Sequence, residues 1–184
     1  MKDIVWNEKE RKTVYTTRVF SVTERVCRSP EGELRPFTVL DTNDWAIVIP
    51  RLKTDKGFEF IMVRQWRPGS GCMSLEFPGG VFNANENAET AAARELREET
   101  GYSAGKLIKL GDFNPNPAIM SNKVHFFLAE DLNNTGTQEL DEDEYVNVEI
   151  KSFEEVMDGM GKPPYIHALM GTALALYLKK PGLL

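Results

Sequence analysis

Cysteine, histidine and surplus positive charge are all scarce in this sequence, and each shortage excludes something. Cys27 and Cys72 are the only cysteines among 184 residues. Their spacing suits neither a metal site nor a redox motif, which points to a reducing cytoplasm. Two histidines are too few for a His-rich zinc centre. A net charge of −6 argues against partnership with nucleic acid or an anionic membrane, since both need a basic face. An anionic small molecule stays possible if metal ions reverse the sign inside a site. No apolar run is long enough to span a bilayer, and "MKDIVWNEKERK" is too polar for a signal peptide. The G-x-S-x-G elbow and the G-x-x-x-x-G-K-[ST] loop are missing, and "GSG" at 69–71 lacks the third glycine of a dinucleotide fingerprint.

What is present suits a globular chain, with 41% apolar and 27% charged residues. The β-branched stretch 13–28 reads as strand, "SPEGE" as a turn and 34–41 as the return strand. Residues 45–52 and 58–67 have the apolar density of buried strands around the loop "KTDKG". "MSLEFPGG" predicts a short strand running into a glycine turn. A helix follows, capped by Asn87 and stopped by Gly101. Its Ala91, Ala92 and Leu96 form an apolar stripe, and Glu95 and Glu99 are expected on another face. Further strands are predicted over 104–113, 123–132 and 146–152, with the Pro-rich loop "NPNPAIMSN" at 114–122. Short helices follow Ser152 and cover about 166–179. Strands with helices that can pack on them give a fold class of α+β or a three-layer αβα sandwich. Residues 1–42 form an N-terminal antiparallel β unit, and residues 43–184 the main domain.

The helix carries the most informative residues. Glu95, Glu98 and Glu99 crowd into its C-terminal part, where backbone carbonyls already disfavour negative charge. Arg94 lies four residues before Glu98 and can pair with it, which leaves Glu95 and Glu99 uncompensated. Hard divalent cations would resolve the conflict, and Mg²⁺ in particular favours a few carboxylates, waters and phosphates. The flanks then read Gly80-x5-Glu86-x7-Arg94-Glu95-Leu96-x-Glu98-Glu99-x-Gly101-Tyr102. Seven fixed residues at about 6–7% usage each coincide by chance at roughly 10⁻⁸ per start position. This spacing resembles the signature box of the Nudix hydrolases, which cleave nucleoside diphosphates linked to another group.

That resemblance implies an α+β fold, an αβα sandwich with a central mixed sheet in which the box forms a loop–helix–loop, and it implies roles residue by residue. Glu95 and Glu99 would be the main metal ligands, with Glu98 a metal or water ligand acting in catalysis. Arg94 would orient the carboxylates, Glu86 would stand at the rim toward the substrate, and a carbonyl at Gly79 or Gly80 would add a ligand. The cofactor implied is Mg²⁺, with Mn²⁺ able to substitute.

Other segments resemble the ADP-ribose pyrophosphatase subfamily. "VRQWRPGSGCMSLEFPGG" is similar to its "VRQYR" strand followed by "LELPAG", and Pro115 and Pro117 lie 14 and 16 residues beyond Gly101. By this resemblance Arg67 is a diphosphate contact, while Arg64 and His125 are structural. Glu142 and Glu144 match a Glu-x-Glu pair that supplies a general base and a further metal ligand. Trp6, Phe20 and Trp66 are read as core aromatics before base-stacking ones. In this subfamily the N-terminal unit completes the partner's site, so a homodimer is implied and Arg35 would reach the partner's nucleotide. The loop "NPNPAIMSN" departs from the usual "SPGFSDE", lacking its glycine and acidic residues. The expected activity is hydrolysis of a nucleoside diphosphate sugar, ADP-ribose foremost, to AMP and ribose 5-phosphate. Alternatives are another nucleoside diphosphate derivative, an oxidised nucleotide, or a non-catalytic nucleotide-sensing module.

Overall fold

The structure, a computed structural model, describes residues 4–140, 142 and 144–181. Its backbone contacts divide the chain into two units, one of Met1–Asp44 with Asn114–Lys123 and one of Trp45–Phe113 with Val124–Leu184.

The first unit is an antiparallel sheet of β1 (Asn7–Thr16), β2 (Ser21–Arg28) and β3 (Leu34–Asp41), in that order. The stretch 13–28 is therefore not one strand. It folds back at Thr17, whose hydroxyl donates to the Phe20 carbonyl at 2.8 Å and accepts from the Phe20 N–H at 3.0 Å. This turn is closed by a threonine side chain without glycine or proline, so the usual turn residues give no warning of it. All ten residues of β1 are exposed. Thr23, only 3% exposed, bonds to Asp41, which also takes Arg25. The Pro-rich segment belongs to this unit. Leu40 N–H donates to Ile119 O at 2.7 Å, and Lys123 N–H to the Asp44 carboxylate at 2.8 Å.

The second unit is built on a mixed sheet of β4 (Trp45–Thr54), β5 (Gly57–Arg67), β6 (Cys72–Glu76), β7 (Gly79–Val81), β8 (Tyr102–Phe113), β9 (Val124–Asn134) and β10 (Val146–Ser152). The main order is β10-β5-β4-β9-β8, with β6 on β5 and β7 on β4. Strands β4 and β9 run parallel and the remaining pairs antiparallel. Side chains alternate across β4, and that alternation sorts the core into two layers. Ile47 and Ile49 join Phe60, Met62 and Phe126 under α2 (Phe153–Gly159) and α3 (Ala168–Lys179). Ala46 and Val48 join Phe127 and Ala129 under α1 (Ala88–Thr100). Helices on both faces of a mixed sheet make the expected αβα sandwich.

Candidate active site

The sharp approach of β7 to α1 depends on two glycines. Gly79 pairs with Ile47 and Gly80 with Ala46. A Cβ on Gly79 would stand 2.2 Å from the Ala46 carbonyl oxygen, and one on Gly80 would stand 2.5 Å from Glu95 Oε1. Any larger residue at Gly80 would displace the carboxylate. Asn87 caps α1 by accepting from Thr90 N–H at 2.9 Å, and Gly101 ends it in the left-handed conformation at φ 71°.

Glu95 and Glu99 do not occupy a face separate from the apolar stripe. At about 100° per residue both fall between Ala91 and Leu96, and all four are buried. Glu95 is 7% exposed and Glu99 3%. Arg94 serves more carboxylates than its spacing suggested. It binds Glu86 twice at 3.0 Å, and one Nη reaches both Glu95 and Glu98 at 2.9 Å. Glu95 is thus partly compensated. Glu99 accepts the Gly79 N–H at 2.8 Å instead. Burial pushes the Glu95 carboxyl up to about 7 against the pull of Arg94. Burial also pushes Glu99 up to about 8, outweighing the Gly79 N–H, with Glu95 and Glu144 adding repulsion. Glu86, held by Arg94, lies below the ordinary carboxylate range.

Neutral donors cap the carbonyl end of α1. Gly101 N–H donates to Arg97 O, Glu139 N–H to Glu98 O, each at 2.9 Å, and the Gln138 amide to Glu99 O at 2.5 Å. They satisfy backbone oxygens and leave the Glu99 carboxylate unneutralised. A hard divalent cation suits that donor set of carboxylates beside a glycine turn. Among the described residues no group of three or more His, Cys, Asp or Glu is already arranged as a metal cage. Arg94 engages Glu95 and Glu98 in its place.

The model of the NUDIX domain matches residues 42–170. The chain belongs to the NUDIX family. It is 42% identical over 105 residues to the ADP-ribose pyrophosphatase of Bacillus subtilis (strain 168), covering 56% of each chain. Against the ADP-ribose pyrophosphatase of Saccharomyces cerevisiae it is 32% identical over 130 residues, 65% of this chain and 55% of the other. It thus spans little more than half the length of these relatives. The crystal structure of an ADP compounds hydrolase superposes with a TM-score of 0.84 at 26% identity, covering 100% of both chains.

Beyond the Nudix box, the structure distributes the expected residues unevenly. Glu144 is exposed yet within electrostatic reach of Glu95, Glu99 and Arg67. Glu142 is exposed on a turn. Arg35 is an exposed residue of the first unit, paired with Glu33 at 2.7 Å. Arg67 is partly committed within the protein. Its Nε and Nη2 grip Glu76 at 2.9 and 2.7 Å. Sequence reasoning passed over Glu76, although a lone acid in the apolar run "MSLEFP" was a signal that it needs a partner. His167 was missed too. It caps α3 and is pushed below the usual histidine range, by burial first and then by Arg67, while Glu76 pulls the other way.

Arg64 pairs with Glu149, and His125 bonds to Asp112 at 2.7 Å. Two aromatics depart from the core expectation, because Trp66 is 56% exposed and Trp6 42%. A cleft of about 500 Å³ lined by Arg51, Lys53, Phe58, Lys106 and Glu130 holds none of the expected site residues. It lies toward the opposite end of β4 from Ala46 and Ile47, which pair with the glycine turn.

Proposed function

We propose that this Nudix chain hydrolyses the phosphoanhydride of a nucleoside diphosphate sugar, ADP-ribose foremost, giving AMP and ribose 5-phosphate. The observation that carries this reading is the buried pair Glu95 and Glu99 beside Gly79 and Gly80, with Glu95 only partly compensated and Glu99 without a cationic partner in contact among the described residues. Nudix hydrolases generally use divalent metal ions, and here the ion is Mg²⁺, with Mn²⁺ substituting. Glu95, Glu98, Glu99, Glu144 and the Gly79 carbonyl would hold it. A cation bound there would supply an acidified water and stabilisation of charge developing on phosphorus.

The protein groups do the rest. Arg94, anchored by Glu86, would orient Glu95 and Glu98. Glu142 or a box glutamate, Glu98 among them, takes the proton from the attacking water. With its Nε and Nη2 fork spent on Glu76, Arg67 offers Nη1 to a diphosphate oxygen as a single charge-assisted donor. Glu86 lies at the substrate rim.

Residues 43–184 act as the catalytic domain and residues 1–42 as a dimerisation element, in a cytoplasmic homodimer. The full exposure of edge strand β1 supports that assignment, as do the free thiols of Cys27 and Cys72. Arg35 then contacts the partner's nucleotide. Among the described residues no helix is long and apolar enough to cross a membrane. A different nucleoside diphosphate sugar is the second reading, favoured by the loop "NPNPAIMSN".

The test is phosphomonoester release from ADP-ribose, GDP-mannose, UDP-glucose, NADH, diadenosine polyphosphates and 8-oxo-dGTP, with and without Mg²⁺. Metal-dependent cleavage led by ADP-ribose is expected. Cleavage led by another diphosphate assigns the specificity change to that loop. Nucleotide binding without turnover would overturn the hydrolase reading in favour of a sensor.

A further inference from the structure

Glu142 and Glu144 sit in the connection between β9 and β10, whose described residues form neither helix nor strand. A connection of that kind samples many conformations unless something ties it down. Glu144 is nevertheless held within electrostatic reach of Glu95 and Glu99. The fastening is visible in one side chain. Gln138 Nε2 donates to the Glu99 carbonyl at 2.5 Å and to the Val146 carbonyl at 3.3 Å.

Each acceptor has a distinct meaning. The Glu99 carbonyl is among the last four of α1, which no intrahelical N–H can reach. Val146 opens β10 and is locked in register opposite Gln65. A single carboxamide therefore joins residue 138 to residue 146 across the base of the acidic stretch, and joins both to the backbone of a box glutamate. Closing a short loop in this way removes most of its conformational freedom. The next residue repeats the grip, with Glu139 N–H on Glu98 O at 2.9 Å. Both partners of the Gln138 amide are oxygens, so only a donor fits. A carboxylate of the same shape would face two carbonyl oxygens and be repelled.

We propose that Gln138 is a positioning residue of the active site, its carboxamide holding Glu144 against the helix end that carries Glu98 and Glu99. The proposal rests on the hydrolase reading above for its kinetic consequence, though not for its geometry. Gln138→Met keeps the length of the side chain and removes both donors. Gln138→Glu keeps the shape and turns the donors into acceptors.

The experiment is a kinetic double-mutant cycle of Gln138→Met and Glu144→Gln, with ADP-ribose and Mg²⁺. Hydrogen exchange at the amides of Glu144–Asn147 is measured on the same proteins. Gln138→Met is expected to lower kcat roughly tenfold with KM within about twofold, and Gln138→Glu to lower it further. The double variant should be no slower than Glu144→Gln alone, because a positioning residue has nothing left to position once its target is removed. Exchange at 144–147 should accelerate.

A kcat within twofold of wild type for Gln138→Met would overturn the proposal. So would losses that multiply in the double variant, which would mark a general structural role. If wild type turns over no diphosphate sugar, the hydrolase reading fails separately. The exchange then decides the clamp, acceleration supporting it and unchanged rates overturning it.

Discussion

Glu76 and Glu99 are almost equally shielded from solvent, 2% and 3% exposed, yet their carboxyls shift in opposite directions. Burial pushes both up. At Glu76 the forked Arg67 guanidinium outweighs that push, and the carboxyl stays below the usual range. At Glu99 one backbone N–H does not, and Glu95 and Glu144 add to the repulsion. A buried charge that only holds the fold together brings its own partner. One kept unpaired at a cost in stability is waiting for a ligand, and such residues cluster at functional sites. The two glutamates teach how to tell the cases apart within one chain.

The strongest way to break this comparison is to neutralise each member. Glu99→Gln should lower turnover by roughly 10²–10³-fold, the scale of losing one charge-stabilising group. Its metal-free melting temperature should stay level below about pH 8, where the carboxyl holds a proton, and rise above it, where a repelled buried charge is removed. Steady-state kinetics with thermal melting reads both.

Glu76→Gln should do the reverse and act first on stability. It leaves Arg67 with an uncompensated charge. Because Arg67 is 39% exposed, the loss should be about 2 kcal/mol, below the range for a fully buried pair. If Glu76→Gln proves neutral in melting while Glu99→Gln destabilises, the distinction between structural and functional carboxylates fails.

A gentler probe is pH. The raised carboxyls of Glu95 and Glu99 bind protons in the folded protein that the unfolded chain has already released near the ordinary value of 4.5. Their stabilisation is present at acid pH and is lost as pH rises through about 7 to 8. Glu76 behaves oppositely. Its lowered carboxyl stabilises the fold above the ordinary value of 4.5 and loses that contribution as pH falls through its folded value. Metal-free melting scanned from pH 4 to 9 should therefore show an acid limb weakened by Glu76→Gln and an alkaline limb weakened by Glu99→Gln.

Much of this was legible beforehand, and for physical reasons. The box spacing, the Asn87 cap and the Gly101 stop are local, and local chemistry is written in consecutive residues. The alternating apolar runs of β4 and β5 likewise announced buried strands. The misses came from contacts distant in sequence or hidden in side-chain geometry. Nothing near residue 67 says that its guanidinium folds onto Glu76 across a hairpin. The turn at Thr17 uses a hydroxyl where glycine or proline was sought. The shared face of Glu95, Glu99 and the alanines could have been computed from the helical angle, and was missed by reading the stripe too narrowly. The amide of Gln138 could not have been foreseen, because its two acceptors lie 39 residues before it and 8 after.

The most direct test of the central claim is a calorimetric titration of the metal-free protein with Mg²⁺ at pH 6.5, in buffers of different ionisation enthalpy. If Glu95 and Glu99 hold protons that a cation must displace, binding should release about one proton or more per chain. Glu99→Gln should abolish most of that release. Binding without proton release, or equal binding by wild type and Glu99→Gln, would contradict the assignment of these buried carboxylates as the metal site.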